Sequence, residues 1–200
     1  MEVADYERAE IAQDMRSAVA DAGLTQAAFA RLIGTSRPRL SAYMSGRTIP
    51  SAALYQRALR IARGLKSSRA HGWMTPDRTI DQINAALADG DEDWAFKLVL
   101  QARDQLAYQL RTDDPTGDAW LLRSREIADP RYDTLLAVLI GHEFEQHGGQ
   151  RVPRWTEGPR LAEPWLQANV RRGADWTRKH TPEWLAARGI FISDHDLTTA

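Results

Sequence analysis

Apolar side chains recur at helical spacing along most of the chain. From Asp5 to Ala22, the residues Ile11, Met15, Ala18, Val19 and Ala22 fall on one stripe, and Gly23 ends it. Thr25 stands as a potential N-cap before Gln26–Ile33, where Phe29, Leu32 and Ile33 share a face. Gly34 suits a helix end that needs positive φ. Ser36 can cap the next helix, with Pro38 in its first turn, where a missing N–H does no harm. Leu40, Tyr43 and Met44 repeat at helical spacing until Gly46. Ser51 then caps a further helix carrying Leu54, Ala58, Ile61, Ala62 and Leu65. The pattern predicts short helices joined by tight turns.

The stripe fades in Lys66–Arg78, where Ser, Gly and Pro cluster, and this reads as a linker. Helical spacing resumes from Thr79 with Ile80, Ile83 and Leu87, and breaks at Asp89-Gly90-Asp91. Trp94–Leu110 forms one long helix, with Trp94, Leu98, Ala102, Leu106 and Leu110 aligned. Residues 113–117 are a loop, Ala119–Ala128 a helix, and Asp129-Pro130 opens another that ends near Gly148-Gly149. The last fifty residues are irregular and rich in Trp and Pro. Leu161, Trp165 and Val170 are expected on a short helix. Pro182 opens Glu183–Arg188, Gly189 caps it, and Ile190–Ile192 is extended. All seven Trp lie outside residues 1–65. Packing onto a helical core is their favoured role, with an aromatic groove for a protein or small molecule as the alternative.

Composition adds little until it is divided. Hydrophobic residues make up 43% and charged residues 26%, as in ordinary globular proteins. There is no Cys, which removes disulfides, thiolate metal ligands and a Cys nucleophile. The start of the chain is acidic and unlike a signal peptide, and the apolar run Leu135–Ile140 is far too short to span a membrane, so a cytoplasmic location is expected. Charge is unevenly placed. Residues 22–76 hold nine Arg and Lys and no Asp or Glu, while the chain as a whole carries −1. A basic block of that kind is the footprint of a polyanion binder.

Residues from about 11 to 65 resemble the lambda-repressor/Cro type (XRE-like) of helix-turn-helix DNA-binding domain. The resemblance rests on Thr25-Gln26 opening the first motif helix, Ala30 between the helices, Gly34 in the turn, Gly46-Arg47 after the second helix, and Pro50-Ser51 before the next. One departure is Ala42, where the family often has a long polar residue. The resemblance implies that Arg37, Pro38, Arg39, Ser41 and Ala42 face base edges in the major groove. It implies that Thr25, Gln26, Ser36, Ser45 and Arg47 touch phosphates. The expected fold is mainly α. Residues 1–65 form a helix-turn-helix bundle and 66–78 a linker, and 79–200 form a helical partner-binding or regulatory domain with an irregular Trp/Pro-rich tail.

The resemblance further implies a bacterial transcription regulator that binds a palindromic double-stranded operator as a homodimer and represses its own promoter. The chain's end resembles, more loosely, antitoxin-like regulators of high-GC bacteria, whose C-terminal domain neutralises a co-expressed toxin. A small-molecule-sensing C-terminal domain is the other alternative. No enzyme activity, cofactor or metal is expected. His142 and His147 flank Glu143 and Glu145 in a pattern reminiscent of a zinc protease, but they are five residues apart, about 140° round a helix, and cannot share one ion. No Gly-rich phosphate loop or Gly-x-Ser-x-Gly elbow is present.

Overall fold

The computed structural model describes residues 5–149, 151–158 and 160–198. The chain divides into two compact units, one of residues 1–76 with 113–124, the other of 77–112 with 125–200. The architecture is mainly α, as the hydrophobic spacing predicts.

In the first unit, α1 (Asp5–Ala22), α2 (Gln26–Leu32), α3 (Arg37–Met44) and α4 (Ala52–His71) surround one core. Met15, Phe29, Ile33, Leu40 and Ile61 are essentially inaccessible at its centre. These are the positions at which the helical stripes overlap. The expected linker at 66–78 begins inside α4, which continues for six residues past Leu65. Two of its polar side chains reach α1: Lys66 pairs with Asp21 at 2.8 Å, and Arg69 donates to the carbonyls of Ala22 and Asp21. Gly72, at φ +70°, then ends the helix.

The expected helix at Ala119–Ala128 is absent. A 3-10 helix covers Pro115–Leu121 instead, and the following residues are not helical. Asp114 accepts from the backbone N–H and hydroxyl of Thr116 at 2.8 and 2.7 Å, which tightens the turn around Pro115. This segment packs along α4 and is part of the first unit. Leu121 and Leu122 join its core, and Trp120 is fully buried. The first unit therefore includes two of the seven Trp residues, Trp73 and Trp120, neither of which lies in residues 1–65.

The second unit is organised on the packed pair α6 (Glu92–Arg111) and α7 (Pro130–His147), with α5 (Pro76–Ala88) before them. Leu98, Ala102 and Leu106 are buried as the stripe requires, but Trp94, at the end of that stripe, is half exposed. The tail holds α8 (Gly173–Lys179), α9 (Glu183–Ala186) and two short strands, β1 (Trp165–Leu166) and β2 (Ile190–Phe191). They pair in parallel with Trp165 opposite Ile190. The expected helix through Leu161, Trp165 and Val170 is thus replaced by β1 and its flanking turns, and Val170 is fully exposed. Pro164 removes a helix donor just before β1, which favours extended chain there.

Candidate nucleic-acid interface

Three helix starts are built alike. Thr25 Oγ1 accepts from Ala28 N at 3.2 Å, Ser36 Oγ from Arg39 N at 3.4 Å, and Ser51 Oγ from Leu54 N at 3.3 Å. Each hydroxyl uses a lone pair for its cap and keeps its own hydrogen for another acceptor. The turn between α2 and α3 closes by Gly34 N to Arg31 O at 3.1 Å and Thr35 N to Ala30 O at 2.8 Å. Gly34 takes φ +79°, which makes this reversal cheap only for glycine.

The outer side of α3 carries the residues expected at a DNA surface. Arg37, Pro38 and Arg39 are exposed at its N-terminal end, and Ser41 and Ala42 are half-buried one turn on. Leu40 and Tyr43 point into the core, which fixes the opposite face outward. Arg37 and Arg39 form no ion pair with any described residue. Thr25, Gln26, Ser36, Ser45 and Arg47 are all exposed. Ser45 donates to the carbonyl of Ala42 at 3.1 Å and accepts from Arg47 Nε at 3.0 Å, so one hydroxyl aims the Arg47 guanidinium.

Not all of the basic block is free for a polyanion. Arg57 donates to the carbonyl of Ile33 at 3.1 Å, the end of α2, and Arg69 holds the end of α1. The end of α3 is held from α1: Arg8 donates to Gly46 O at 3.3 Å and Arg16 to Met44 O. Each of the first three helices therefore has terminal carbonyls bound by an arginine from another helix, where positive charge also complements the helix dipole. Arg8 and Arg16 sit in an acidic stretch that gives no sign of this role, and by sequence Arg57 and Arg69 belong with the binding charges. Only the paired geometry separates these roles.

Elsewhere, His142 stacks on Trp184 with ring centroids 4.1 Å apart, while His147 Nε2 lies 3.8 Å from Glu143. The two histidines engage different partners. Among the described residues no group of three His, Asp or Glu side chains is arranged to hold a metal ion, and no helix is long and apolar enough to cross a membrane.

Residues 10–71 match the family model described as a helix-turn-helix domain. The chain therefore carries a helix-turn-helix domain of the XRE/Cro type, the DNA-binding module of transcription regulators. Neither the comparison with curated proteins nor that with solved structures returned a match.

Proposed function

We propose that the protein is a sequence-specific double-stranded DNA-binding regulator that works as a homodimer and represses its own promoter by occlusion. The observation that carries this reading is the pair Arg37 and Arg39. Both are exposed at the capped start of the second motif helix, with no carboxylate partner among the described residues. A guanidinium fork matches the O6/N7 acceptor pair of guanine, and each such bidentate contact contributes about 1–3 kcal/mol of discrimination. Thr25, Gln26, Ser36, Ser45 and Arg47 surround that point as phosphate ligands, and Ser41 and Ala42 lie along the groove. A dimer would meet two half-sites spaced about 34 Å, one turn of DNA.

Selection of bound duplexes from a random pool, with the full-length protein, tests this. A palindromic motif containing guanine is expected. Arg37→Ala and Arg39→Ala should each relax preference at one position per half-site. If both variants select the wild-type motif unchanged, α3 is not the reading element. Purification of the tagged protein from its host decides whether a second protein of toxin type accompanies it.

A further inference from the structure

The second unit contains a half-open cleft of about 910 Å³, walled by α5, the start of α7 and residues 161–165 leading into β1. Leu87, Pro130, Leu161, Pro164 and Trp165 give it a largely apolar surface. Its volume falls within the roughly 300–1,000 Å³ of small-molecule sites.

Among the described residues, three charged ones line the cleft: Asp129, Arg131 and Glu163. Arg131 is already committed. Its Nη2 donates to Asp129 Oδ2 at 2.7 Å and to Glu92 Oε1 at 2.9 Å, and its Nε reaches both Asp129 oxygens at 3.2 and 3.1 Å. The guanidinium also lies 5.4 Å from the centre of the Trp165 ring. Burial pushes the Asp129 carboxyl up, but hydrogen bonds from the Arg131 side chain and backbone outweigh it and hold it below the usual carboxylate range. The one cation is thus offset by two carboxylates. Glu163 is exposed and forms no ion pair or hydrogen bond with any described residue. The charge that the cleft leaves unanswered is negative.

We propose that this cleft is a binding site for an organic cation with a bulky apolar body. The body would cover the Leu, Pro and Trp surface and the positive group would meet Glu163. An anion of the same shape would face Glu163 and find Arg131 already shared between Asp129 and Glu92.

Tetraphenylphosphonium and tetraphenylborate have nearly the same shape and opposite charge, and they separate the two contributions. Calorimetric titration of the full-length protein should give about tenfold or more tighter binding of the phosphonium. Glu163→Gln should weaken it about two- to fivefold, the scale of a solvent-exposed ion pair. Ala162→Trp, at an exposed position on the cleft wall, should abolish it by filling the space. Equal or tighter binding of the borate, no binding of either ion, or binding indifferent to Glu163→Gln or to Ala162→Trp would overturn the assignment.

Discussion

A Cβ added at Gly64 of α4 would lie 2.8 Å from the backbone nitrogen of Ala119 and 3.3 Å from the carbonyl oxygen of Pro115. The 3-10 segment therefore reaches the backbone of α4 itself, at the one place where that helix has no side chain. Gly64 is helical, so intrinsic propensity favours alanine there by about 1 kcal/mol. The contact is with backbone, which cannot rotate away. Gly64→Ala should accordingly destabilise the first unit, by about 1–3 kcal/mol from overpacking. Chemical denaturation followed at a first-unit probe checks the sign, since a stabilised variant would mean that the segment yields easily.

The nine basic residues of 22–76 should separate into two groups by experiment. Arg57→Ala removes a hydrogen bond to the end of α2 and should lower stability by about 0.5–1.5 kcal/mol. Arg47→Ala should leave stability within about 0.5 kcal/mol, as is usual for surface sites. It should also reduce the slope of log binding constant against log salt by about 0.9, the share of one phosphate contact. Thermal melts and a salt series on one operator duplex measure both.

Ser36 caps the helix that begins with Arg37. Ser36→Ala leaves an orphan donor and should cost about 0.5–2 kcal/mol, whereas Ser36→Gly should cost only a few tenths. Because the fraying would occur at the proposed base-reading turn, the alanine variant should also bind its operator more weakly. Denaturation midpoints and binding isotherms for the two variants make the comparison.

Tyr55 on α4 donates its hydroxyl to the Asp14 carboxylate on α1. That hydrogen bond, then burial, then the negative charges of Asp14 and Glu10 push its pKa up to about 12 from 10. The folded state prefers the neutral phenol, so this stabilisation is complete below pH 10 and is lost as pH rises toward 12. Tyr132 in the second unit is likewise raised to about 12, first by burial. Melting temperature should fall through that window. The fall should be shallower in Tyr55→Phe for the first unit and in Tyr132→Phe for the second.

Local signals carried most of the DNA-binding unit. Thr25, Ser36 and Ser51 precede helices they cap, and Gly34 and Gly46 sit where the backbone must turn left-handed, at φ +79° and +73°. The exposed candidates on α3 follow from the burial of Leu40 and Tyr43 on its other face. What escaped was non-local. Residues 66–71 look like a linker until Asp21 and Ala22 supply partners to Lys66 and Arg69. Trp120 finds its burial beside α4, far away in sequence. The β1–β2 pairing joins Trp165 to Ile190 through backbone bonds that no side-chain pattern announces.

The assignment of residues 113–124 to the first unit also imposes an order on synthesis. The 36 residues of 77–112 must be made before the piece that lies on Gly64 exists. At about 5–20 residues per second, the ribosome holds the first unit unfinished for roughly 2–7 s, with that stretch of α4 uncovered. A message interrupted between codons 77 and 112 would thus release a chain with every residue of the helix-turn-helix motif and none of its covering segment.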